Sequence, residues 1–352
     1  MIDYIIVGCG LAGIAFAEEL EKQGKNYLVF DNRSQVSSHV AGGMYNPVIL
    51  KRFTPVWRAS EQLAVLDSYY SGLEKKLGVQ LNSPMRLLRK FATIEEQNNW
   101  FQATDHPLLS PFMNTRLHHL NLEGIHDPHG YGEVLNAGWV NTAKLQECYM
   151  AHLEQSGNLK RETFDYNRLS REDGGWRYGA MEVKHVVFCE GYGIKNNPFF
   201  DFLPLNGTKG ELLEVEIPDL DIDFILKSSV FLLPLGDHRY KVGATYKWQD
   251  KTNTPTQASR EELTEKLEKF LKLPYTVKEH LAGIRPTVAD RKPLFGSHPE
   301  YSNLFVFNGL GSRGVMIAPW AAPLLFRHIE SGEGLPAETD ALRFKKRWYK
   351  RA

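Results

Sequence analysis

The chain opens on an apolar, β-branched run, DYIIV at residues 3–7, the pattern of a strand buried on both faces of a parallel sheet. A glycine-rich turn follows, Gly8-Cys9-Gly10-Leu11-Ala12-Gly13. Beyond it Ile14, Phe16, Ala17 and Leu20 recur on one helical face, and Gly24 ends the helix. A second apolar run, NYLVF, stops at Asp31, 31 − 13 = 18 residues past the last glycine of the turn. Strand, turn, helix, strand and terminal acid together make the dinucleotide fingerprint. Gly8 permits the turn, Gly10 clears space for a pyrophosphate, and Gly13 lets helix and strand pack closely. The helix amides face the phosphate charge, and Asp31 accepts from ribose hydroxyls. This unit alone does not choose between NAD and FAD.

Further along, periodicity predicts helices over 56–77, within EEQNNWFQATDH, across NTAKLQECYMAHLEQSG behind an Asn/Thr cap, and in SREELTEKLEKFLKL. Strands are expected at 85–93, in a meander across WRYGAMEVKHVVFCEGYG, and in GTKGELLEVEI, SSVFLLPLG and RYKVGATY. The segment NLFVFNGLGSRGVMIAPWAAPLLFRHI repeats the opening logic of strand, glycine turn and helix. It offers a second helix terminus to an electron-rich group.

Composition removes several classes of function. With 352 residues the chain has room for about two domains. Its 42 Lys+Arg balance 42 Asp+Glu, which argues against a global basic field for nucleic acid. No apolar run reaches the ~20 residues of a membrane span. Cys9, Cys148 and Cys189 stand too far apart in sequence for a CxxC or zinc spacing, so no metal is expected, and a reducing, cytoplasmic setting suits them. Nothing near Met1 reads as a secretion signal. The 12 histidines show no triad or metal spacing.

The motifs GCGLAG with Asp31, AGGMYNP, VVFCEG, NGTKGELLEV, RYKVGATY, GIRPTVADRKPLFG and NGLGSRGVMIAP resemble the D-amino-acid-oxidase-type family of FAD-dependent oxidoreductases over nearly the whole chain. Within it the sequence is most similar to the oxidase domain of the bifunctional enzymes that make 5-methylaminomethyl-2-thiouridine in tRNA, then to glycine oxidases. The chain lacks the former's methyltransferase domain. The resemblance implies an α/β, Rossmann-like FAD-binding domain with an inserted α+β substrate domain on an antiparallel sheet. Residues 1–80, 136–204 and 281–352 would form the first, and 81–135 with 205–280 the second. The cofactor would be FAD.

The same resemblance distributes roles. Gly8, Cys9, Gly10, Leu11, Ala12, Gly13, Asp31 and Asn32 would hold the dinucleotide, with Tyr166 at the adenine and Cys189, Glu190 and Gly191 closing the adenosine side. Gly42, Gly43 and Met44 would line the isoalloxazine. The turn Gly309, Leu310, Gly311, Ser312, Arg313, Gly314 and Val315 would present amides to its electron-rich edge. Arg285 and Arg313 would bind a substrate carboxylate and Tyr246 would offer a hydroxyl; structural ion pairs and a packed aromatic are the plainer alternatives. Lys51, Arg52 and Lys209 are further candidate cations near the flavin. Cys9 reads as a small buried residue rather than a redox thiol. Asp290 is expected to cap a turn and hold the Arg285 loop.

The implied reaction is oxidation of the C–N bond of a carboxylate-bearing amine or amino acid, with oxygen or another acceptor taking the electrons. Alternatives are removal of a carboxymethyl group from a wobble uridine of tRNA, and a non-catalytic flavin-binding sensor or scaffold. The terminal run RFKKRWYKR fits either an RNA-backbone patch or an amphipathic segment docked through its aromatics, and the docked segment is the weightier reading.

Overall fold

A computed structural model describes residues 1–351. The strand Ile2–Val7 lies between Tyr27–Phe30 and Met181–Phe188, parallel to both, with Val7 opposite Phe30 and Phe188. Leu159–Lys160 extends one edge of the sheet. On the other edge the first half of Met181–Phe188 pairs with the antiparallel meander Leu169–Glu172 and Gly175–Tyr178, and its second half with Leu304–Asn308 in parallel. Leu294–Ser297 completes this eight-stranded sheet.

Both faces are covered, as the unbroken apolar runs require. The helices Leu11–Lys22, Thr142–Gln155 and Gly314–Ser331 pack on one face through Phe16, Leu20, Tyr149 and Ala321; on the other, Phe164, Tyr178, Phe188 and Phe200 form an aromatic layer. Burying a side chain such as Phe16 or Phe188 contributes about 1.5–3 kcal/mol before entropy is charged against it. The helix Thr142–Gln155 starts where the sequence places it, because Asn141 Oδ1 accepts from the Lys144 amide at 3.1 Å.

A second, seven-stranded sheet runs in the order Thr276–Arg285, Thr208–Glu216, Arg239–Gly243, Phe231–Gly236, Ile225–Lys227, Leu87–Lys90, Tyr131–Val134. All its pairs are antiparallel except Ile225–Lys227 with Leu87–Lys90. The helix Gln257–Glu268 covers one face, seating Leu263 and Leu267 against Leu213, Val215 and Val242. The alternate residues Gly210, Leu212 and Phe231 face a cavity between the two sheets. Residues 281–285, assigned from the sequence to the cofactor portion, are the end of a strand of this second sheet. Among the described residues, no helix is long and apolar enough to cross a membrane.

Candidate active site

Val7, Phe30, Phe188 and Asn308 end their strands at one edge of the first sheet, and the loops that follow open onto a cavity of about 570 Å³. Crevices outside the carboxyl ends of parallel strands are where such sheets bind ligands. Two helices begin at this cavity with no cap from the side chain of their own N-cap residue: Leu11–Lys22 behind Gly10, and Gly314–Ser331 behind Arg313. Their first amides are the natural partners of a pyrophosphate and of an electron-rich ring edge.

The glycines of the first turn are sterically enforced. Gly8 has φ +102°, and a Cβ there would stand 2.5 Å from the Cys189 carbonyl oxygen. A Cβ on Gly13 would collide with the Gly8 carbonyl oxygen, and one on Gly10 would lie 2.8 Å from Ser38 Oγ. Asp31 is anchored by the turn it serves, since Oδ2 accepts from the Cys9 amide at 2.6 Å and Oδ1 from the Arg33 amide at 2.7 Å. Cys9 places its thiol in the core, where burial first and Asp31 second push its pKa far up; it is a packed residue and no redox thiol.

Most of the residues singled out in the sequence line this one cavity. Gly8, Gly10, Leu11, Ala12, Asp31 and Asn32 do so at the fingerprint end, with Tyr166, Cys189, Glu190 and Gly191 beside them. Gly42, Gly43 and Met44 follow, then Leu310 through Val315. Cys9, Gly13 and Gly309 stand behind the lining.

Arg285, Arg313 and Tyr246 converge where the cavity meets the second sheet. Arg285 lies over the Tyr246 ring, Cζ 5.4 Å from its centroid, and Nη1 donates to the Thr245 carbonyl at 3.3 Å. Burial draws the pKa of Arg285 down; burial and then the like charge of Arg291 do the same to Arg313. Neither guanidinium is ion-paired among the described residues, so the structural-pair alternative has no partner to support it.

Three candidate cations are placed elsewhere. Lys209 is fully buried on the helix-covered face of its strand, with Nζ 2.5 Å from Asp250 Oδ2 and from the Thr254 carbonyl. Gly210 and Leu212 face the cavity, so the period-two alternation of a strand turns Lys209 away from it. Lys51 and Arg52 are exposed on a turn outside the lining. Asp290 caps its turn by accepting from the Lys292 amide at 3.0 Å, but its charge holds Arg343 of the terminal segment, Nε 2.9 Å away, and not the Arg285 loop. In that segment Trp348 packs on His298 and Phe202 and donates to Glu300 at 2.8 Å, while Lys345, Lys346 and Lys350 point to solvent.

Sequence reasoning missed Ser38, whose Oγ accepts from the Leu11 amide at 3.1 Å, and Asn308, which donates to the Gly191 carbonyl at 2.8 Å. Ser38 lies in the short helix Ser37–Val40 before Gly42 and carries no spacing signal; Asn308 ends an apolar strand just ahead of Gly309, where a lone polar residue is the available signal.

The cavity fits FAD: two helix termini for its anionic and electron-rich parts, an acid at the ribose position, and a turn whose Gly8 and Gly13 leave no room for a Cβ. Residues 3–327 match the family described as FAD dependent oxidoreductase. Glycine oxidase of Bacillus subtilis (strain 168) is 26% identical over 348 residues, covering 91% of each chain. The tRNA 5-methylaminomethyl-2-thiouridine biosynthesis bifunctional protein of Marinobacter nauticus is 23% identical over 358 residues, and the match takes in 92% of this chain but 55% of that protein. Among solved structures, iminodiacetate oxidase from Chelativorans sp. BNC1 superposes with a TM-score of 0.78 at 17% identity, covering 96% and 99% of the two chains. Glycine oxidase from Bacillus cereus gives 0.76 at 20% identity, covering 95% and 96%. At these identities the structural likeness is one of fold. The chain belongs to the family of FAD-dependent oxidoreductases, and FAD is its cofactor.

Proposed function

We propose that this enzyme oxidises the C–N bond of a small amine or amino acid that carries a carboxylate. The observation that carries the reading is the pair of arginines, Arg285 and Arg313, facing one cavity without a protein carboxylate to neutralise either. A guanidinium so placed is an anion site, and its planar fork matches a carboxylate in two parallel hydrogen bonds. FAD, when bound, supplies the acceptor for the hydride that leaves the substrate carbon.

The protein's part is to hold and orient. Arg285 and Arg313 fix the carboxylate end, and Tyr246 offers its hydroxyl beside them. Leu212, Phe231 and Leu310 give the same region an apolar wall that excludes water. Among the described residues no histidine or lysine lines the cavity, and its carboxylates, Asp31, Glu162 and Glu190, belong to loops after strands of the first sheet. The substrate nitrogen therefore gives its proton to solvent, and the imine left behind is hydrolysed to a carbonyl and a free amine. Similarity to glycine oxidases, and to the fold of an iminodiacetate oxidase, agrees with a substrate of this class.

The test is anaerobic mixing of the FAD-loaded enzyme with glycine, sarcosine, iminodiacetate, proline and D-alanine. At least one should bleach the flavin absorbance, and Arg285→Ala should bleach more slowly at equal FAD content. If dithionite bleaches the flavin while every amine in the panel fails, the reading is overturned.

A further inference from the structure

Glu190 is an acid in an unexpected place. It follows Cys189 at the end of the central strand Met181–Phe188, and its Cα would lie 3.4 Å from a Cβ on Gly8, the first glycine of the pyrophosphate turn. Its side chain lines the cofactor cavity, held from two sides. Tyr166 donates its hydroxyl to Oε1, and Asn197, itself fully buried, donates Nδ2 to Oε2 at 2.6 Å.

Every element around Glu190 leaves it without a cation. Cys9 of the first turn stands behind the cavity lining, Asp31 and Glu162 line the same cavity, and the groups that act directly on Glu190 are Asn197 and Tyr166. The turn Tyr166–Arg168 contributes Tyr166; the turn Gly191–Asn196 contributes its backbone, with Asn308 bound to the Gly191 carbonyl. The nearby cations are engaged elsewhere: Lys195 donates to the Asp201 carbonyl at 2.8 Å, and Arg161 is paired with Glu154. A carboxylate here would thus stand at the pyrophosphate turn with no counter-charge among the described residues, which disfavours the ionised form at low effective dielectric.

We propose that Glu190 is a neutral carboxylic acid in the FAD complex, so that above neutral pH the cofactor binds together with one proton. Burial already raises its pKa to about 7 in the free protein, with Asn197 and Tyr166 pulling it back partway. A diphosphate brought to the adjacent turn adds negative charge and raises it further. The sign follows from linkage: affinity is full where Glu190 is protonated before FAD arrives, and falls as pH climbs past about 7, where the proton must be taken up on binding.

The test is FAD titration of the full-length apoprotein by flavin fluorescence, with calorimetry in two buffers of different ionisation enthalpy. From pH ~6 to ~8.5 the Kd should rise about 30-fold in the wild type, which is (1 + 10^1.5)/(1 + 10^−1) for a group at about 7. Proton uptake should approach one per FAD at the upper pH. Glu190→Gln should hold its low-pH affinity across the range and take up no proton. Tyr166→Phe, which removes a bond to the ionised form, should move the onset to higher pH and decides the matter if Glu190→Gln does not fold. A wild-type Kd that is flat with pH, or a pH dependence that persists in Glu190→Gln, overturns the proposal.

Discussion

Gly210→Ala is a probe of the arginine site that does not touch the arginine. Gly210 sits in the strand Thr208–Glu216 opposite Gly283, and a Cβ at 210 would overlap both Nη atoms and Cζ of Arg285. The backbone of Gly210 is outside the left-handed region, so alanine is accommodated locally and improves strand conformational entropy by about 0.5–1 kcal/mol. The group that must move is the far end of a flexible side chain. Arg285 will swing off Tyr246 and give up its bond to the Thr245 carbonyl. The loss is that of a charge-assisted hydrogen bond to substrate, about 1.5–3 kcal/mol, or roughly 10- to 150-fold in kcat/KM. Turnover of sarcosine and glycine by FAD-loaded protein is the assay, with flavin content and urea unfolding as controls. The decisive arm is the cycle with Arg285→Ala: once the guanidinium is gone, Gly210→Ala should cost nothing more. Wild-type kcat/KM in Gly210→Ala, or an additional loss in the double variant, would refute the argument that this glycine exists to seat Arg285.

Three other perturbations follow from the same geometry. Gly13→Ala drives a Cβ into the Gly8 carbonyl, which is backbone and cannot swing aside, so the purified protein should lack flavin absorbance and lose about 1–3 kcal/mol of stability in urea. Asp250 is held at about 2, below its ordinary 3.8, first by Lys209 and then by Thr252. A depressed carboxylate stabilises fully above its unfolded value and loses that contribution as pH falls from about 3.8 to about 2, so the wild-type unfolding midpoint should drop more steeply in this window than that of Asp250→Asn. Trp348→Ala removes a half-buried ring from His298 and Phe202 and should destabilise by about 2 kcal/mol, whereas Lys346→Glu and Lys350→Glu should stay within about 0.5 kcal/mol in the same urea assay.

The nucleotide end of the cavity was legible in the sequence because each of its residues answers a local steric demand at fixed spacing. Gly8, Gly10 and Gly13 can be assigned their tasks before any fold is known. The arginines were legible only through resemblance: they stand 28 positions apart, and only the approach of the second sheet to the turn before Gly314–Ser331 brings them to one wall. Lys209 stood only as a candidate, and the means of excluding it were present in the sequence. Gly210 and Leu212 share one face of a strand, so Lys209 and Glu211 must share the other; there Glu211 meets His280, 2.9 Å away, and accepts from Thr256. Glu190 illustrates the opposite limit, since the motif needs only its backbone, and its two donors come from Tyr166 and Asn197, brought together by folding.

These placements give the zero net charge of the chain a spatial meaning. Asp31 and Glu162 line the cavity at its fingerprint end, while Arg285, from the second sheet, and Arg313, from the turn before Gly314–Ser331, line it where it meets that sheet. On the proposed function, a carboxylate-bearing amine would be drawn toward the arginines and away from Asp31 and Glu162, so charge would orient it along the cavity before any hydrogen bond forms. The cofactor meets the reverse problem, because its diphosphate must settle among acids. Helix amides supply the attraction there, and the neutral state of Glu190 removes a repulsion that they would otherwise have to offset. If Glu190 is neutral in the complex, as proposed, cofactor retention is a step that responds to pH just above neutrality.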